Sequence, residues 1–283
     1  MFMKKLTLFI ITTFMISTAA AVTLNDLFES QQTGDVALID LSGTITPSAG
    51  GFSAGMTPES VRQLTQSAED RNVDAIVYEI NSGGGAVVAS KDVRRTIEDV
   101  SVPTVCRIRD VGASGAYLFS LGCDSIVADS ASMTGSIGVT SSYLEFSELM
   151  DEVGVNYVNV SVGENKEVAS PYQEPTEEEK EILQEKAELI GDEFLNDVVD
   201  ARNLTRSQEQ EVGTAEVFLG SEAQELGLVD ELGGRQTAIS EAENVTDLEL
   251  SPVTVSNQQE FNLLSLFFSS LQLNENSPLK AVL

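Results

Sequence analysis

The chain has 283 residues, with 16 Lys and Arg against 45 Asp and Glu and no His, so its formal charge is −29. That acidity repels phosphate backbones and argues against a nucleic-acid partner. The lack of His removes every Ser-His-Asp or Cys-His machine and every His metal site, and two cysteines, Cys106 and Cys123, are too few for a zinc cage or a disulfide scaffold. No metal and no cofactor are expected. With 42% hydrophobic residues the chain can bury a core. The acid excess over seven Lys also has the character of a halophilic surface.

Lys4 and Lys5 precede Leu6–Val22, seventeen residues without a charge, ending in Ala19-Ala20-Ala21. This describes either an uncleaved anchor or a signal peptide, and we read it as the anchor. Both place the rest of the chain across a membrane, because the positive charges stay on the cytoplasmic side. The expectation is a cell-membrane protein with a single N-terminal span and the catalytic domain outside the cytoplasm. Residues 1–23 form that segment and 24–34 a polar linker.

In the body, Asp35–Leu41 reads as a strand, and Thr46–Thr57 as a glycine-rich loop. Thr57-Pro58-Glu59 starts a helix running to about Arg71. The strand Asp74–Ile80 leads through Ser82-Gly83-Gly84-Gly85 into a helix over Ala86–Asp99. The strand Pro103–Ile108, a short helix within Gly112–Gly122 and the strand Ser125–Ala128 come after it. Such alternation predicts a parallel α/β sheet. A helix over Tyr143–Val153, a strand over Asn156–Val160 and a polar loop over Ser161–Glu174 come next. Thr176–Arg202 is a long charged helix, opened by a capping box of Thr176 with Glu179. Val217–Gly234 holds a short helix and a turn, and the chain is less regular from about Asn244. Phe261–Leu271 is an apolar segment suited to a core helix, a subunit contact or a membrane surface.

Without His, a nucleophile must be Ser, Thr or Cys, and its base Lys, Asp, Glu or the chain's amine. Cys106 and Cys123 read as small buried residues with no activating neighbour. Ser114, in Gly112-Ala113-Ser114-Gly115-Ala116-Tyr117, lies at a strand-to-helix turn among small residues. There a helix N-terminus favours developing negative charge; a plain helix cap is the other reading. The Ser82–Gly85 run could offer free N–H groups to an oxyanion or simply turn the chain. A phosphate loop is disfavoured, since the run lacks the Gly-Lys-Ser/Thr that would complete one. Among the lysines, Lys4, Lys5 and Lys280 are in the tails, and Lys91, Lys180 and Lys186 fall on helices. Lys166 alone lies in a loop after a strand, where it is either a base or merely solvated.

These segments together resemble the signal peptide peptidase A family of serine proteases, a branch of the Clp/crotonase superfamily, over about residues 35–240. Asn81-Ser82-Gly83-Gly84-Gly85 resembles the family's Asn-Ser-Pro-Gly-Gly turn with Gly83 in the Pro position. Residues 112–117 resemble its nucleophile turn, and Thr134-Gly135-Ser136-Ile137-Gly138-Val139 its Thr-Gly-Ser-Ile-Gly-Val segment. Lys166, followed by Ser170-Pro171 and Thr176–Lys180, falls at the catalytic Lys. Leu228-Val229-Asp230-Glu231-Leu232-Gly233 resembles the late turn.

The resemblance implies an α/β fold of Clp/crotonase-like repeated ββα units with a helical C-terminal arm. It implies Ser114 as nucleophile, Lys166 as general base and acid, and Ser136 holding the Lys amine. Gly85, with Gly84, and Gly115 would supply the oxyanion hole. It further implies a membrane-held homo-oligomer degrading cleaved signal peptides and other short or unfolded polypeptides through an acyl-enzyme. The protease domain would span 35–250, with 251–283 as a C-terminal contact segment. Two departures stand out: Gly83 loosens the oxyanion turn, and Glu164 and Glu167 flank Lys166 where the family carries basic residues. The rivals are an inactive scaffold for membrane-protein partners, a stomatin-partnered Ser/Lys protease and a thioester-processing crotonase.

Overall fold

The computed structural model describes residues 33–48 and 55–256. The strand β1 (Thr33–Ser42) is followed by the helix α1 (Pro58–Glu69) and the strand β2 (Ala75–Ser82). Next come α2 (Val87–Glu98), β3 (Thr104–Ala113), α3 (Gly115–Ser120), β4 (Ser125–Ala128) and β5 (Met133–Gly135). The second half holds α4 (Ser147–Glu152), α5 (Glu177–Arg202), α6 (Arg206–Val212), β6 (Val217–Leu219), α7 (Gly220–Glu225) and β7 (Glu231–Leu232). It closes with α8 (Arg235–Thr246) and β8 (Glu249–Val255).

The strands make one sheet in the order β6-β5-β3-β2-β1-β8, with β4 and β7 branching from β3. Every pairing is parallel except β5 with β6. The expected α/β fold is the fold found. The strand β3 forks: Val105–Ile108 pair with β4, and Val111–Ala113 pair with β5. The side-chain period of two divides the sheet into two faces. Ile39, Ile76, Tyr78 and Ile108 join a core with Leu64, Val93, Tyr117 and Phe194 from the helices. On the other face Val36, Val77, Val105 and Val127 pack on Ala238, Ile239 and Ala242 of α8.

At the first residue of α8, Arg235, that second face turns polar. Glu79, with its side chain 6% exposed, accepts from Arg107 at 2.7 Å and from both Nε and Nη2 of Arg235 at 3.0 and 2.6 Å. Burial alone would raise the Glu79 carboxyl, but Arg235 and Arg107 outweigh it and hold it below the ordinary carboxylate range. At the far end of the sheet, Arg202 closes on Asp230 at 2.5 and 3.0 Å and donates Nε to the Gly227 carbonyl. Asp230 in turn accepts the Ile126 N–H, and the buried Tyr117 hydroxyl donates to the Leu228 carbonyl. The Leu228–Gly233 turn thereby ties α5 and α3 to the sheet.

Several expectations are corrected. Asn156–Val160 forms no strand, and the expected Tyr143–Val153 helix is reduced to α4, which buries no side chain. The sheet runs on through β8, paired along β1 from Thr33↔Glu249 to Ile39↔Val255, past the boundary expected at 250. Cys106 and Cys123 are joined in a disulfide rather than standing as separate small residues, with Cα atoms 5.7 Å apart. The expected membrane location with an N-terminal span is also overturned. No helix among the described residues is long and apolar enough to cross a membrane. The longest, α5, has the length but carries charge along it, starting with Glu177, Glu178 and Glu179. Leu6–Val22 and Phe261–Leu271 lie outside the described residues.

Replacing Glu79 by Ala leaves Arg107 partly buried without its counter-charge and should cost about 3 kcal/mol in a denaturant melt. A depressed carboxyl stabilises the fold above its unfolded value, and that contribution is lost as pH falls through the folded one. Acid should therefore destabilise wild type more steeply than Glu79→Gln below the ordinary carboxylate range. The disulfide closes a loop with a sequence separation of 17. Its reduction should lower stability by about 3 kcal/mol, and Cys123→Ser should reproduce the loss and no longer respond to reductant.

Candidate active site

The site lies where β2, β3 and β5 reach their carboxyl ends. Ala113 is the last residue of β3 and Gly115 the first of α3, so the chain must turn within Ser114. It does so at φ 54° and ψ −125°, a conformation that a residue with a Cβ adopts only under constraint. The constraint is visible: the Ser114 N–H donates to the Gly135 carbonyl at 2.8 Å, and its own carbonyl accepts from Leu118 at 2.9 Å. Its hydroxyl makes no capping bond, and the residue is half-buried. The helix α3 beyond it has only six residues, so the N–H groups at its start matter more than any macrodipole.

The glycine turn after β2 packs directly on this turn. Gly84 has φ 96°, and a Cβ there would lie 2.7 Å from the Gly115 nitrogen and 3.0 Å from the Ser114 Cβ. A Cβ on Gly85 would overlap the Ile45 carbonyl. Only a backbone without side chains can come this close. The Gly84 N–H is occupied by Ser82 Oγ at 3.1 Å. The N–H groups of Gly85 and Gly115 have no hydrogen-bond partner among the described residues. They are near neighbours, since a Cβ on Gly115 would sit 3.3 Å from the Gly85 nitrogen. A Cβ on Gly83 would meet nothing within 4 Å, so the departure at that position leaves open space.

Ser136 follows β5 as Ser114 follows β3, and the register Ala113↔Gly135 sets the two serines side by side. Ser136 also has a positive φ, 51°, and its N–H donates to Glu216 at 2.8 Å. Thr134 Oγ1 donates to the Gly112 carbonyl at 2.6 Å and fastens β5 to β3 just before both turns.

Lys166 is not brought to this point. It sits in an exposed turn, its N–H bonded to Gly163 at 3.3 Å, and its ammonium has no ion pair among the described residues. The turn is braced by Tyr157, which donates to Glu167 at 3.1 Å and packs its ring at a tilt of 37° against Tyr172, centroids 5.2 Å apart. The lysine that lines the cavity beside Ser114 is Lys91, with Val87, Leu118, Val139, Ile190 and Phe194. In sequence Lys91 falls on a helix, as Lys180 and Lys186 do. The available signal was its place in the first turns of the helix that the glycine run opens. A wider cleft of about 690 Å³, between residues 137–143 and α5, shares Gly138 and Val139 with this cavity. No group of His, Cys, Asp and Glu among the described residues could hold a metal ion.

The model of peptidase family S49 matches residues 97–249, just over half of the chain. The chain belongs to that family. A putative protease of Methanocaldococcus jannaschii, MJ0651, is 31% identical over 66% of this chain and 61% of its own length. A putative signal peptide peptidase SppA of Enterococcus faecium is 33% identical over 62% of this chain and 52% of its own length. The chain thus spans roughly half to two thirds of these relatives. The putative protease slr0021 of Synechocystis is 30% identical over 78% of both chains. Among solved structures, a mutant of the 1510-N membrane-bound stomatin-specific protease with a substrate peptide superposes with a TM-score of 0.52. It covers 84% of this S49 chain at 12% identity, which is a likeness of fold.

Gly84→Ala should lower stability by about 2 kcal/mol in a denaturant melt, because the new methyl would meet the Gly115 nitrogen at a φ of 96°. Circular dichroism should show the sheet retained.

Proposed function

We propose that this S49 chain is a serine endopeptidase in which Ser114 is the nucleophile and Lys166 the general base. One observation carries the reading: Ser114 is held at φ 54° beside the N–H groups of Gly85 and Gly115, and among the described residues neither its hydroxyl nor those two groups have a hydrogen-bond partner. Strain of that kind is sustained by surrounding structure and clusters at reacting groups. In the proposed reaction Ser114 Oγ attacks the peptide carbonyl carbon while the lysine amine takes the hydroxyl proton. The tetrahedral oxyanion is received by the Gly85 and Gly115 N–H groups. The C–N bond breaks, the lysine ammonium returns its proton to the leaving amine, and the acyl group stays on Ser114. Water then attacks, gives its proton to the lysine, and Ser114 Oγ recovers one as the ester bond breaks. Ser136, beside Ser114, orients the amine.

The substrates are cleaved signal peptides and other short or unfolded polypeptides, which accords with the name of the Enterococcus relative. The active form is a homo-oligomer in which Lys166 serves Ser114 of a neighbouring copy. In support, Lys166 lies outside the cavity of its own Ser114. The preceding segment also carries Val158, Val160 and Val162 at 82%, 93% and 95% exposure, an apolar row suited to cover by a second chain. Cover of that kind strips water from an ammonium and favours the neutral amine that a base requires.

Ser114→Ala should lower hydrolysis of a denatured protein by about 10⁶. Activity within tenfold of wild type removes Ser114 from the role. Lys166→Arg should be inactive, because guanidinium does not release its proton. Mixing Ser114→Ala with Lys166→Ala chains should restore part of the activity. Verified mixed oligomers that stay inactive would return both groups to one chain. A fluorophosphonate probe that labels wild type but not Ser114→Ala separates this reading from an inactive scaffold.

A further inference from the structure

The cavity beside Ser114 has apolar walls and one charged member, Lys91. Its free volume is about 20 Å³, room for about one water-sized group. Lys91 stands on α2 one turn beyond Val87, with its side chain 20% exposed. Its ammonium lies 2.5 Å from the carboxylate of Glu193 on α5, adjacent in sequence to the cavity residue Phe194. One turn further along both helices, Arg94 reaches Asp197 at 3.4 Å. Two ion pairs thus draw α2 and α5 together beside the cavity. With the ammonium engaged on Glu193, the aliphatic stem of Lys91 is what remains to fill the space between the helices.

We propose that Lys91, latched to Glu193, sets the size limit of the pocket that receives the side chain on the acyl side of the cut bond, so that this chain cleaves after alanine-sized residues. The inference rests on Ser114 as nucleophile, whose neighbour in the substrate this pocket would receive. A methyl group matches the space between Val87, Leu118, Val139 and Phe194. An isobutyl or benzyl group does not, unless the latch opens. Charge selection is disfavoured, because the ammonium already has its carboxylate partner. The lysine acts through its length.

The test is a set of peptides that differ only in the residue before the cut, Ala, Leu or Phe, with kcat/KM measured on wild type, Lys91→Ala, Lys91→Met and Glu193→Gln. Fluorophosphonate labelling of Ser114 is followed in parallel. Wild type should favour Ala over Phe by about 100-fold, within the range that pocket size alone supplies. Lys91→Ala should cut that ratio below about tenfold. Lys91→Met, of similar length but without the latch, and Glu193→Gln should both fall between. Wild type that accepts Phe as readily as Ala overturns the proposal. So does a Lys91→Ala ratio that does not move while Ser114 still labels. Folded Lys91→Ala and Lys91→Met chains that both lose labelling would make Lys91 the base and overturn it too. Absence of labelling in wild type is a different result: it refutes Ser114 as nucleophile and removes the ground of this inference.

Discussion

The fork in β3 is the constraint on which the rest of the site depends. Its first half is committed to β4 and its second half to β5, so the strand cannot slide against either partner without breaking both ladders. The second pairing ends at Ala113↔Gly135, and the very next residue of each strand is a serine at positive φ. The two turns are cross-tied by the Ser114 N–H on the Gly135 carbonyl. Conformational strain in two adjacent turns is thus sustained by the sheet beneath them. Gly84 supports them from the β2 side, through a contact too close for any side chain.

Charge is distributed with a purpose that composition does not reveal. The chain is strongly acidic, yet few of its arginines are left at large. Arg107 and Arg235 hold Glu79, and Arg202 holds Asp230. The second pair links the C-terminal end of α5 to the late turn, and so fixes the helix whose other residues line the proposed substrate pocket. Around the site itself cations are scarce: no Lys or Arg occurs between Arg109 and Lys166. The cation that lines the cavity beside Ser114, Lys91, comes instead from α2.

Much of this was legible. The apolar runs gave the central strands, because a parallel strand buried on both faces must be nearly uniformly apolar. Thr57-Pro58 and Thr176 with Glu179 marked helix starts that are present with the expected capping bonds. Ser114, Ser136 and the glycine turn were found as motifs, and the fold does set them together. What failed has physical causes. The strand β8 contains Pro252, which suits only an edge, and its partner β1 is more than two hundred residues away in sequence. The helix α8 buries only Ala238, Ile239 and Ala242, a stripe too thin to stand out. Asn156–Val160 has β-branched residues but no partner strand among the described residues, and propensity without pairing made nothing. The disulfide needed the tertiary fold, since nothing local to Cys106 or Cys123 foretells their 5.7 Å approach.

That disulfide brackets Ser114 in a covalent ring, and the ring has an analytical consequence. Trypsin can cut after Arg107 and Arg109, both inside it, and then not again until Lys166. A digest of unreduced protein would therefore release the serine-bearing fragment 110–166 still joined through sulfur to the fragment 96–107. Any adduct on Ser114 would travel in a two-stranded peptide whose mass drops by the smaller strand on reduction. The same bond would hold the two sides of a nick in this segment together, so that a chain cut there keeps its parts.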